Sequence, residues 1–148
     1  MDEIDGSLPP AVLALNAALA NGICDFPDGA IPRHPDCVVI AAANTWGAGA
    51  TAEYVGRMRL DAASLDRFVQ MEWPIDEVLE TATAPNKEWC FKVQSFRRKI
   101  ASRGLKHMIP PRATYYGAAL LAAGMDEASV LSMTIREGLS DDQWKGLQ

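Results

Sequence analysis

The chain has 148 residues, 49% hydrophobic and 22% charged, with a formal net charge of −5, enough for one ordinary domain or two small ones with a real core. No apolar run approaches the ~20 residues of a membrane span, and the acidic start Met1-Asp2-Glu3 offers no basic signal-peptide region. Three widely spaced cysteines (Cys24, Cys37, Cys90) and two histidines (His34, His107) make neither a disulfide framework nor a zinc site, so a cytoplasmic protein without membrane association is expected.

In chain order, Ser7-Leu8-Pro9-Pro10 predicts a helix start, with Ser7 as cap and prolines in the first turn. Val12, Leu15 and Leu19 form its apolar stripe, and Asn21-Gly22 ends it. Pro27-Asp28-Gly29 between short apolar pieces predicts a hairpin or loop over 23–36. Cys37 to Ala43 is a continuous apolar run, expected to be a strand covered on both faces as in a parallel sheet. Asp61 is placed to cap a short helix reaching Phe68, and Phe68 to Trp73 is a further candidate strand.

The remainder reads as helical. Trp89, Val93, Phe96 and Ile100 repeat at helical spacing. Pro111 begins a helix ending near Gly124, Asp126 starts another that stops at Gly138, and Ser140 with Gln143 is a capping-box pattern. The expected order is therefore α/β first, then a small helical bundle. Charge divides the same way. Residues 1–84 carry four basic and thirteen acidic side chains, net −9, and residues 85–148 carry ten basic and six acidic, net +4. Such halves can attract each other or neighbouring copies, or simply present differently charged solvated faces.

Four places can carry chemistry. Adjacent carboxylates at Asp2-Glu3 suit a magnesium ion plus an activated water, or are merely solvated. Asn44 follows the apolar run, where ligands bind in open α/β sheets; the alternative is a turn residue bonding its local backbone. Arg67 lies at the end of the Asp61-capped helix, just before the candidate strand, where a surface pair with Asp61 or Asp66 is the plainer reading. Arg112 sits at a helix N-terminus, the unfavourable end for a cation, which hints at an anionic partner.

In order along the chain, Met1-Asp2-Glu3-Ile4-Asp5-Gly6-Ser7 resembles the end of a Walker B strand, and Val39-Ile40-Ala41-Ala42-Ala43-Asn44-Thr45 a sensor 1 strand. Tyr54-Val55-Gly56-Arg57 through Leu65-Asp66-Arg67-Phe68 resembles an arginine-finger region, and Pro111-Arg112-Ala113 the sensor 2 start of a lid helix. Together they resemble the MoxR/CobS-like, dynein-related group of AAA+ ATPases over essentially the whole chain. The resemblance implies an α/β fold: a partial P-loop NTPase sheet in a nucleotide-binding subdomain (1–74), followed by an all-helical lid (75–148).

It also implies roles. Asp2 helps hold Mg2+, Glu3 polarises the attacking water, and Asn44 orients that water and contacts ATP. Arg67 acts on ATP of a neighbouring ring subunit, and Arg112 contacts phosphate from the lid. The parent activity is ATP hydrolysis that remodels a protein or assembly, within homo- or hetero-oligomeric rings. No GxxxxGK[ST] occurs in the 148 residues, so the phosphate cradle and its lysine are missing. The expectation is a C-terminal fragment, inactive by itself. A second reading is a non-catalytic module docking on intact ATPase subunits. A third is nucleic-acid binding through the basic stretch Lys87–Lys106, disfavoured because Trp89 and Phe96 fit the apolar stripe.

Overall fold

The computed structural model describes residues 1–148, which separate into two compact units, Met1–Met71 and Glu72–Gln148. In the first unit, a short 3-10 turn at Ile4–Gly6 precedes helix α1 (Pro9–Asn21). Pro9 and Pro10 occupy the first turn, where a missing N–H costs nothing, and Gly22 closes the helix in the left-handed conformation. Ser7 does not cap it; Leu8 holds that position without a side-chain bond, and the Ser7 N–H donates back to the Ile4 carbonyl. Strands β1 (Ile23–Phe26) and β2 (Gly29–Pro32) then pair antiparallel as a hairpin, Ile23 opposite Pro32. Helix α2 (Ala62–Leu65) is capped by Asp61, whose Oδ1 accepts the Ser64 N–H at 2.7 Å.

Two expectations for this unit need correction. The apolar run 37–43 joins no regular sheet, and it is not covered on both faces. Val39 and Ala41 are half-buried, whereas Val38 and Ile40 are 80% and 76% exposed. The run instead bonds to the first residues of the chain. The Met1 ammonium donates to the Ile40 carbonyl at 2.7 Å, the Ala42 N–H to Met1 at 2.9 Å, and the Ile4 N–H to Ala42 at 3.0 Å. Both partners advance in the same direction, the sense of a parallel pair. The expected strand at 68–73 does not form: Val69, Met71 and Trp73 are exposed. A strand needs a hydrogen-bonded neighbour, and none lies beside this segment. The unit's core is correspondingly small: Ile4, Val12 and Leu60, with Leu15, Ala41, Leu65 and Phe68 against them.

The second unit is helical: α3 (Glu77–Thr83), α4 (Lys87–Ser102), α5 (Arg112–Ala122), α6 (Glu127–Leu131) and α7 (Asp141–Leu147). A π-helical turn at Ser132–Arg136 continues α6. Caps set the starts. Asp76 accepts from Val78 and Leu79, Asn86 from Trp89, and Asp126 from Ser129. At α7 both bonds of the capping box are made, Gln143 N–H to Ser140 Oγ and Ser140 N–H to Gln143 Oε1. The α4 stripe of Trp89, Val93, Phe96 and Ile100 is buried against Ile109, Ala113, Ala118, Val130, Ile135, Trp144 and Leu147. Phe96 stacks on Trp144 with ring centroids 5.3 Å apart.

A polar knot ties α3, α4 and α5. Glu80, 3% exposed, receives Arg97 Nη1 and Nη2, Gln94 Nε2 and Thr114 Oγ1. A buried carboxylate persists only when its lone pairs are so satisfied. No helix is long and apolar enough to cross a membrane.

Candidate functional site

The first unit gathers its polar groups around the turn at residues 3–6. Asp5 is fully buried there, and its Oδ2 accepts both the backbone N–H of Thr45 at 2.9 Å and the Thr45 hydroxyl at 2.8 Å. The Asp5 carbonyl accepts the Met58 N–H at 2.6 Å. One residue thus fastens three segments: the turn, the loop after the apolar run, and the stretch at 57–60. This clamp, with the backbone pairing of 1–4 to 40–42, fixes Glu3 and Asn44 as neighbours.

Glu3 is exposed and lies within reach of Asn44, but its main partner is Arg57. Arg57 Nη1 meets Glu3 Oε2 at 3.0 Å, and Nη2 meets Oε1 at 2.9 Å. These hydrogen bonds and the guanidinium charge hold the Glu3 carboxyl below its ordinary range, Asn44 adding a smaller pull the same way. The pair reciprocally raises Arg57. Glu3 is also the sole non-glycine residue with positive φ, at 51°. That left-handed conformation costs an L-residue roughly 1–2 kcal/mol. Gly6 leaves room for the arginine, since a β-carbon there would come within 2.6 Å of Arg57 Nη1.

The other expected site residues stand apart from this cluster. Asp2 is exposed beside Glu3 in sequence and makes no ion pair. Arg67 is exposed in the turn that follows α2, and its Nη1 donates to the Ala63 carbonyl. It pairs with neither Asp61 nor Asp66, because Asp61 is engaged in capping. Arg112 belongs to the second unit, exposed at the first position of α5. Reading by residue type assigned no role to Asp5, Thr45 or Arg57. A charged residue directly after apolar Ile4, and a hydroxyl directly after Asn44, are the local signals for the clamp. Nothing near Arg57 in sequence points to Glu3.

Nowhere do three His, Cys, Asp or Glu side chains converge as a metal cage. Magnesium commonly takes one or two carboxylates and completes its shell with phosphate oxygens and waters. Of the two adjacent carboxylates, Glu3 is engaged by Arg57 and Asp2 is exposed, so Asp2 is the one whose chemistry suits a metal that arrives with phosphate. Chemically, the cluster offers a carboxylate base, an amide able to orient a water, and a guanidinium that now occupies the base. No protein-family model matches the chain, and no curated protein matches it.

Proposed function

We propose that these residues are the water-activating and lid portion of an AAA+ ATPase of the MoxR/CobS-like group, working with a phosphate loop supplied by another segment or subunit. The observation that carries this reading is the parallel backbone pairing of 1–4 with 40–42 together with the Asp5–Thr45 clamp, which brings the segments bearing Glu3 and Asn44 together. A base and a water-orienting amide at the ends of adjacent parallel segments suit phosphoryl transfer, which needs positioning and charge neutralisation more than covalent chemistry. The exposed apolar faces at Val38 and Ile40 support a missing neighbour strand.

In this reading Asp2 would hold a magnesium ion, which would supply charge neutralisation at the phosphate. Glu3 accepts the proton of the attacking water, and Asn44 orients that water. Arg67 reaches ATP on a neighbouring ring subunit, and Arg112 contacts phosphate from the lid. The setting is cytoplasmic and the output is remodelling of a protein substrate. Docking on intact ATPase subunits without catalysis is the second reading, favoured by the tight hold of Arg57 on Glu3. Nucleic-acid binding through α4 has less support, because Lys92, Arg97, Arg98 and Lys99 already engage partners within their own unit.

The test has two parts. Calorimetric titration of the 148-residue chain with Mg-ATP is expected to give no appreciable binding, since the backbone donors of a phosphate loop are absent. Supplying a phosphate-loop-bearing AAA+ partner is expected to produce ATP hydrolysis that Glu3→Gln abolishes. Turnover indifferent to Glu3→Gln would sink the reading.

A further inference from the structure

We propose that the outer stripe of α4 is a self-association surface, on which a second copy of this chain docks antiparallel about a two-fold axis, each copy seating its Phe91 in a groove of the other. The contact lies within the second unit and does not rest on the ATPase reading.

The groove runs along α4, is bounded by α6 and α7, and has a volume of about 590 Å³. Its floor is apolar: the stacked rings of Phe96 and Trp144, with Leu131 beside them. Phe91 also lines it and is 55% exposed, a large ring left in water on the same helix.

Charge selects the occupant. Glu88, Lys92, Ser95 and Lys99 recur at i, i+4, i+7 and i+11 of α4, so they share one side of the helix. Lys92 is neutralised by Glu127 at 2.6 Å. Glu88, in the first turn, is exposed and makes no ion pair. Lys99, in the last turn, is held by the Leu147 carbonyl at 2.7 Å and the Phe96 ring at 5.3 Å, without a carboxylate. Its ammonium has three donors and keeps capacity for one. The stripe thus carries a free anion at one end and an unneutralised cation at the other, about 16 Å apart along the helix.

Laid antiparallel on a copy of itself, such a stripe is self-complementary. With Glu88 opposite Lys99, the same register sets Phe91 opposite Phe96 and Lys92 opposite Ser95. Both Phe91 rings then meet the apolar floor of the opposite groove, and no like charges face each other. Parallel docking in register would instead set Glu88 on Glu88 and Lys99 on Lys99. A contact in which each residue meets its counterpart reciprocally is two-fold and closes at two copies. Three helical turns make a small interface, so a dissociation constant on the order of 100 µM is expected.

Sedimentation equilibrium of the full 148-residue chain between about 10 µM and about 1 mM tests this and is expected to show monomer and dimer, nothing larger. Phe91→Asp, at an exposed position, should leave only monomer over that range. Glu88→Lys should weaken association by about tenfold or more, since two attractions become two repulsions. Lys99→Glu should do the same. Mixed in equal amounts, the Glu88→Lys and Lys99→Glu variants restore both attractions and should form a heterodimer at close to the wild-type constant. Circular-dichroism melts establish that each variant folds. Should Lys99→Glu unfold through loss of its Leu147 bond, Phe91→Asp and Glu88→Lys decide by themselves. Monomer over the whole range, growth beyond the dimer, or a dimer indifferent to both Phe91→Asp and Glu88→Lys overturns the two-fold contact, as does failure of the two folded charge variants to pair.

Discussion

Arg97 grips Glu80 at two points, Nη1 to Oε2 at 2.8 Å and Nη2 to Oε1 at 3.0 Å, inside the helical unit. Burial alone pushes the Glu80 carboxyl upward and is the largest single influence. The Arg97 and Thr114 hydrogen bonds, the Arg97 charge and Gln94 together outweigh it, so the net position lies below the ordinary 4.5. A carboxyl depressed on folding contributes stability that is complete above its unfolded value and is lost as pH falls through the folded one. Denaturant melts of the second unit should therefore weaken below about pH 4.5. Glu80→Gln should cost about 3 kcal/mol at pH 7, the low end for breaking a buried pair, since Glu77 still lies 3.4 Å from Arg97. It should also flatten the acid limb. A variant that melts like wild type at both pH values would show that the knot is not holding the unit.

Trp89 leaves no space for a side chain at Gly117. Its indole nitrogen donates to the Ala113 carbonyl at 3.0 Å, and the ring lies where a β-carbon on Gly117 would stand. Gly117→Ala would ordinarily favour a helix. Here it should destabilise by roughly 1–3 kcal/mol through overpacking, seen as a lowered thermal midpoint. Ala119→Gly, at an exposed position of the same helix, should cost about 1 kcal/mol by propensity alone.

Thr45→Val removes one of two donors to the buried Asp5 carboxylate. Leaving a buried acceptor short costs about 1–3 kcal/mol. Urea unfolding of the first unit should move by that amount, and partner-stimulated hydrolysis should fall as Asn44 drifts from Glu3. Retained stability and turnover would mean that the clamp is dispensable.

Amide exchange should be slower across 88–123 than across 37–44. Helix α4 presents a buried stripe and a continuous hydrogen-bond ladder, whereas 37–43 has exposed residues and few backbone partners. Local opening follows such differences in buried contact. The reverse order would make the first unit the better-ordered one.

Arg67→Ala distinguishes a finger from a surface contact. Its bond to the Ala63 carbonyl is exposed, and losing a contact of that kind shifts stability by only about 1 kcal/mol. A finger acting on transition-state charge contributes on the order of 10³-fold or more in rate. With a phosphate-loop-bearing partner, Arg67→Ala should abolish most hydrolysis while nucleotide binding persists, and Arg59→Ala should not. Normal turnover in Arg67→Ala with loss in Arg59→Ala would reassign the finger.

Local chemistry was readable from the sequence wherever one segment decides its own conformation. The caps at Asp61, Asp126 and Ser140, the prolines opening α1, the turn at Pro27-Asp28-Gly29 and the four-residue stripe of α4 each act within a few residues, so spacing announced them. Strands were legible only as apolar runs, because a strand exists through its neighbour. Residues 37–43 found a short parallel partner in 1–4 and were left half-covered, and 68–73 found none. Which charges meet was decided by tertiary structure alone. Glu3 and Arg57 are 54 positions apart, Asp5 and Thr45 are 40 apart, and Glu80 and Thr114 are 34 apart. No periodicity links residues at such separations. They are brought together by the burial of Ile4 and Leu60 in one unit and of Trp89, Val93 and Ala113 in the other, and the ion pairs then take the geometry that packing allows.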